Sequence, residues 1–296
     1  MPAPENRNWE NRFWASEDGL KLHYRDYPGR ADRPPILCMP GLTRNARDFE
    51  DLAARLSPEW RVIAVSFRGR GRSEYARDPM SYVPATYVRD VEALLAELAL
   101  PSVIAFGTSL GGIVTMLLAA ADPGRIAGAL LNDVGPEIEP AGLGRIRAYV
   151  GKSNTWPTWM HAARAVAEAN GDVYPGYAIE DWLAMAKRLY RLNSAGRIVL
   201  DYDMKIAEPF RVPGNEAGPD MWQALAQLKS VPVLIVRGAR SDVLGAATAD
   251  RMVMALDQAE LVTIPGVGHT PTLDEPDAVA AVDRLLKRIV TERVAA

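Results

Sequence analysis

The sequence predicts an α/β fold built on a mostly parallel sheet with helices packed on both faces. Short apolar runs at 35–39, 61–67, 102–106, 126–131 and 231–236 are separated for much of the chain by stretches with helical apolar spacing. Apolar runs of this length mark strands covered on both faces, and strand–helix alternation implies right-handed crossovers within a parallel sheet. The chain's 296 residues, 48% hydrophobic and 24% charged, suffice for one large core or two modest ones.

The elements follow in order. Residues 12–15 and 20–27 flank Asp18-Gly19, a dipeptide suited to the positive φ of a tight turn, and predict a hairpin. The run 35–39 is a strand ending at Pro40-Gly41. Over 48–56, Phe49, Leu52, Ala53 and Leu56 share one helical face. A strand at 61–67 precedes a helix at 86–98, with Val88, Val91, Leu94, Leu95 and Leu98 inward. After the strand at 102–106, residues 109–121 are apolar nearly all round, as in a helix packed inside the protein. Strands at 126–131, 231–236 and 261–264 complete the sheet, and a helix at 276–289 closes the chain with Pro276 at its first position.

Residues 137–217 break the alternation. They read as several helices and connecting loops carrying many aromatics, and an insertion of that size is more naturally a lid than a structureless loop. The predicted organisation is a core of 1–136 and 218–296 with a helical cap at 137–217, inserted before the last two strands. Most cap aromatics at helical spacing pack against one another, and some face a ligand; Trp156 and Trp159 are the candidates.

Bulk properties exclude several classes. A net charge of -3 and a pI near 5.8 disfavour nucleic acid as a partner, because phosphates need a basic face. Cys38 is the lone cysteine, so no internal disulfide forms, which fits a reducing compartment. The first ten residues lack a charged and then apolar signal pattern, and no apolar run reaches the roughly 18 residues of a membrane span. The expectation is a soluble, cytoplasmic protein with a small-molecule substrate and no membrane partner; nothing specifies an oligomeric state. No fixed-period repeat occurs. Gly69 and Gly71 lack the third glycine of a dinucleotide turn, since position 74 is Glu, and no Gly-Lys phosphate loop is present. Three scattered histidines, with no His-Glu-x-x-His string and no cysteine cluster, predict no metal and no cofactor.

The chemistry concentrates in Gly107-Thr108-Ser109-Leu110-Gly111, which stands between a strand and an apolar helix. That context is what a G-x-S-x-G nucleophile elbow requires. The sharp turn strains the serine backbone, so its neighbours two residues away on each side must be small. Ser109 Oγ then projects above the carboxyl ends of the strands, and the Leu110 N–H at the helix start points at the same place.

The elbow, the turn Arg68-Gly69-Arg70-Gly71-Arg72-Ser73 and the glycine-flanked His269 before the last helix resemble the α/β-hydrolase superfamily, over nearly the whole chain. The resemblance implies an α/β-hydrolase fold and a Ser–His–acid triad. Of His23, His161 and His269, only His269 follows the last strand in a glycine-rich loop, and it is the predicted base. The family's chain order of nucleophile, acid and histidine leaves two acids. Asp242, after the strand 231–236, is preferred; Asp133, after the strand 126–131, is the rival used by some members. The resemblance points to the Leu42 N–H as the second oxyanion donor beside Leu110, although Pro40-Gly41 stands where many relatives carry His-Gly. Arg44 and Asn45 in the same loop are candidate contacts for a polar or anionic substrate group, with Arg145 and Arg147 leaving room for a carboxylate.

Serine rather than aspartate at the elbow favours acyl chemistry on a carboxylic ester or lactone of a small, mainly apolar substrate. Carbon–carbon bond hydrolysis and acyl transfer on the same triad are the alternatives, although Thr108 and Thr270 depart from the pattern of ring-cleavage hydrolases. A non-catalytic receptor that keeps the fold is the reading from another class.

Overall fold

The computed structural model describes residues 8–212 and 219–295. In chain order the core begins with strands β1 (Glu10–Ala15), β2 (Lys21–Tyr27) and β3 (Ile36–Met39), helix α1 (Glu50–Leu56) and strand β4 (Val62–Ser66). Helix α2 (Pro84–Glu97), strand β5 (Val103–Thr108), helix α3 (Leu110–Ala121) and strand β6 (Ile126–Asn132) follow. The inserted region holds α4 (Pro140–Tyr149), β7 (Thr155–Trp156), α5 (Trp159–Asn170), α6 (Ile179–Leu189), β8 (Tyr190–Leu192) and β9 (Ile198–Leu200). The chain then returns to the core with α7 (Met221–Ala226), β10 (Val233–Gly238), α8 (Ala246–Ala255), β11 (Ala259–Ile264) and α9 (Pro276–Ala295).

The eight core strands form one sheet in the order β1-β2-β4-β3-β5-β6-β10-β11. Only the pairings of β2 are antiparallel, with β1 and with β4; the rest of the sheet is parallel. Strand alternation sorts side chains to two cores. Leu37 and Met39 of β3 join α2, α3 and α8 on one face, while Ile36 and Cys38 join α1 and α9 on the other. The apolar character of α3 is explained by its burial: Val114, Met116, Leu118 and Ala119 have no exposed surface.

The parallel strands bring the carboxyl ends of β3, β5, β6, β10 and β11 to one edge of the sheet, where open α/β sheets place their sites. The sequence reading omitted α8, whose apolar stripe is broken by Thr248, Asp250 and Arg251. It also took as helix a stretch that opens with a 3-10 turn, Ala46–Phe49, before α1.

The region from α4 to β9 has a small core of its own, made of Ala162, Ala163, Val166, Trp182, Met185, Ala186, Tyr190 and Ile198. It also contains a three-stranded antiparallel sheet, β7-β9-β8, where the sequence suggested only helices and loops. Strands of two or three residues are too short to display a period of two. The proposed return from cap to core at 217/218 lies outside the described residues.

Candidate active site

The site starts from a strained backbone. Ser109 lies between β5 and α3 with φ 52° and ψ −114°, in a region that L-residues rarely occupy. Gly107 and Gly111 make the turn possible. A methyl group on Gly107 would lie 2.4 Å from the Gly111 carbonyl oxygen, and one on Gly111 would lie 2.0 Å from the Met39 carbonyl oxygen. The Ser109 N–H donates to Asn132 O at 3.0 Å, tying the elbow to the end of β6.

His269 follows β11 and places Nε2 3.0 Å from Ser109 Oγ and Nδ1 2.7 Å from Asp133 Oδ2. A carboxylate accepts only, so Nδ1 carries the proton and Nε2 is left to accept the Ser109 hydroxyl proton. Asp133 is fully buried and its carboxylate is held by three donors. Gly238 N–H reaches Oδ1 at 2.9 Å; the Ser241 hydroxyl and His269 Nδ1 reach Oδ2 at 2.6 and 2.7 Å. Asp133 adopts φ 57°, a left-handed conformation that Asp tolerates better than most residues.

The preference for Asp242 is therefore corrected: the carboxylate on His269 is that of Asp133. Asp242 makes a bidentate pair with Arg145 of α4, at 2.6 and 2.8 Å. The Arg145 hydrogen bonds hold its carboxyl below the usual carboxylate range. β6 lies directly between β5, which carries the serine, and β10. An acid at the end of β6 is thus adjacent to the nucleophile's own strand, and Gly238 at the end of β10 and Ser241 after it serve it as donors.

The loop after β3 lies against the serine. A methyl on Gly41 would be 3.7 Å from Ser109 Cβ, and Arg44 N–H donates to Gly41 O at 3.1 Å, closing a turn with Leu42 and Thr43 at its tip. Neither the Leu42 nor the Leu110 N–H meets an acceptor among the described residues. Both residues belong to segments that meet at Ser109, Leu110 directly after it and Leu42 directly after Gly41.

Sequence reasoning missed what stands behind this loop. Arg70 is fully buried; Nε donates to Leu42 O at 2.8 Å, and Nη1 donates to Arg68 O and to the Tyr87 hydroxyl at 2.6 and 3.0 Å. Its guanidinium also faces the rings of Tyr82 and Tyr87, and its buried Nη2 meets no hydrogen-bond partner among the described residues. The charged residue inside the glycine-rich turn was visible in the sequence, but its direction was not.

The candidate substrate contacts fare differently. Both polar atoms of Asn45 are committed: Oδ1 accepts from Arg47 N–H, and Nδ2 donates to Arg188 O. With 1% of its surface exposed, Asn45 is a structural cap, and the expectation that it contacts substrate is withdrawn. Arg44 is clamped by Asp48 through two 2.6 Å hydrogen bonds. Trp156 packs on Tyr190 with ring centroids 4.5 Å apart, and both Trp156 and Trp159 border the small core of the inserted region.

The inserted region also grips the histidine loop. Gly268 N–H donates to Val173 O at 3.1 Å, and the Tyr174 hydroxyl donates to Thr270 O at 2.6 Å.

This fold and site define an α/β hydrolase. The alpha/beta hydrolase family matches residues 36–282, and the chain belongs to that family. It is 34% identical over 267 residues to the 3-hydroxybutyrate-oligomer hydrolase of Cupriavidus necator, covering 88% of this chain and 90% of the relative. It is 28% identical over 236 residues to the 2-(acetamidomethylene)succinate hydrolase of Mesorhizobium japonicum, covering 80% of this chain and 81% of that one. Among solved structures, an alpha/beta hydrolase from Novosphingobium aromaticivorans is 57% identical, with a TM-score of 0.92 over 96% of this chain and all of that one. These two relatives and this solved structure are all hydrolases by name. No helix among the described residues is long and apolar enough to cross a membrane.

Proposed function

We propose that this chain is a serine carboxylic ester hydrolase that cleaves short hydroxyacid oligoesters through an acyl-enzyme. The observation that carries the proposal is the relay from Ser109 Oγ through His269 to buried Asp133, with contacts of 3.0 and 2.7 Å. The inserted region acts as its cap. The 34% identity to a 3-hydroxybutyrate-oligomer hydrolase over most of both chains supports the substrate class.

In the first half-reaction, Ser109 Oγ attacks the ester carbonyl as His269 Nε2 takes the hydroxyl proton. The carbonyl oxygen becomes an oxyanion facing the Leu42 and Leu110 N–H groups, while Asp133 stabilises the imidazolium. Collapse breaks the ester C–O bond, and His269 returns the proton to the departing alkoxide, releasing an alcohol. Water then attacks the Ser109 ester with His269 again as base, and the acid product leaves with Ser109 restored.

The test is turnover of 3-hydroxybutyrate dimer and trimer, simple 4-nitrophenyl esters and lactones by purified protein and by Ser109→Ala. Hydrolysis of the oligoesters above the lactones, lost in Ser109→Ala, is expected. Oligoesters left intact while lactones turn over would overturn the substrate class, and full activity in Ser109→Ala would overturn the mechanism.

A further inference from the structure

A polar pocket whose lining does not include Ser109 opens elsewhere on the core. It has a volume of about 130 Å³ and is walled by β1 and β2, the 45–47 turn and the residues just after β4, among them His23, Arg25, Arg47, Ser66 and Arg72. It is smaller than the roughly 300–1,000 Å³ that pockets for drug-sized ligands occupy.

The charge balance in this pocket is uneven. Arg25 pairs with Glu50 at its rim, and Arg47 shares the buried Asp201 with Arg191. Arg72 lies over the Phe13 ring and meets no carboxylate among the described residues. Of the three guanidiniums that line the pocket, Arg25 and Arg47 each have one carboxylate partner, and Arg72 has none among the described residues. Among the described residues several of their N–H groups meet no acceptor: Arg25 uses only Nη1, Arg47 leaves Nη1 over, and the Arg72 side chain makes no hydrogen bond.

His23 reports the same field. Its Nε2–H donates to Asn11 Oδ1 at 2.7 Å and its Nδ1 accepts from the Ser66 hydroxyl at 3.2 Å, the pattern of a neutral ring. Burial, reinforced by Arg72, Arg25 and Arg47, presses its pKa down to about 3.

We propose that this pocket binds a small oxyanion of the phosphate class between Arg25, Arg47 and Arg72. Guanidinium forks match the oxygens of such an anion in pairs, and three of them converge on this one pocket. The assignment stands independently of the chemistry at Ser109. It also touches the cap, because Arg47 donates to Arg188 O and Tyr190 O at 2.9 and 3.2 Å.

The experiment is calorimetric titration of the full chain with inorganic phosphate and glycerol 3-phosphate, with acetate and ionic-strength-matched chloride as controls. Phosphate is expected to bind saturably and raise the Tm, whereas the controls do neither. Tighter binding of glycerol 3-phosphate identifies a phosphorylated metabolite as the source; equal or weaker binding identifies free phosphate. Arg72→Ala, at an exposed side chain, should weaken binding by roughly tenfold or more while leaving the phosphate-free Tm in place. Saturating phosphate should also shift the His23 ring resonances in the wild-type chain. Heat equal to that of chloride, or unchanged affinity in Arg72→Ala with silent His23 resonances, would overturn the proposal.

Discussion

His269 Nδ1 lies 2.7 Å from Asp133 Oδ2, while the Asp242 carboxylate is bound by Arg145. Two acids at the ends of neighbouring strands thus do different work. Asp133→Asn keeps the shape but can present an N–H to the ring, favouring the wrong tautomer, and kcat should fall by about ten-thousandfold. Asp242→Asn removes a half-exposed ion pair worth at most about 1 kcal/mol, so kcat should stay within about fivefold of the wild type. Steady-state kinetics on a 4-nitrophenyl ester separate the two variants.

Why the two acids looked alike in the sequence is a question of neighbours. Both follow a buried strand, and both are flanked by turn-forming residues. What distinguishes them is the strand order, which puts β6 beside β5, and the arrival of Arg145 from an inserted helix. Neither is a local property. Ser109 and His269 were legible because local glycine spacing and position after a strand constrain them. The candidate oxyanion donors rest on different signals, Leu42 on family likeness and Leu110 on the helix start. Asn45 looked like a polar substrate contact because its partner, the Arg188 carbonyl, is 143 residues away in sequence.

The elbow leaves no room at Gly111. With 2.0 Å between an added methyl and the Met39 carbonyl oxygen, Gly111→Ala must displace backbone in β3 or α3. A loss of about 4 kcal/mol or more is expected, read as a Tm lowered by about 10 °C or as loss of soluble protein.

Arg70 makes the opposite prediction. A buried guanidinium that meets no carboxylate among the described residues is costly to keep, so Arg70→Met should leave the Tm unchanged or raise it. The same substitution frees the Leu42 carbonyl and loosens the turn that presents the Leu42 N–H. A fall in kcat of roughly tenfold with little change in KM is expected, the pattern of an interaction made only in the transition state. Steady-state kinetics and thermal unfolding on one preparation read both quantities.

His23 ties stability to pH. Its folded pKa of about 3 lies below the ordinary value of 6.5, so between those limits the unfolded chain binds the extra proton. Its contribution is fully present above pH 6.5 and is lost as pH falls toward 3, at on the order of 1.4 kcal/mol per pH unit. Denaturant unfolding from pH 7 to 4 should show a steeper loss of stability in the wild type than in His23→Gln. Parallel profiles would remove His23 as the source.

The most direct test of the account is intact-protein mass spectrometry of enzyme quenched during turnover of a 3-hydroxybutyrate oligoester. An added acyl mass that maps to Ser109, accumulates in Asp133→Asn and is absent from Ser109→Ala is the predicted result. An unmodified Ser109 under turnover, with Ser109→Ala still releasing product, would contradict it.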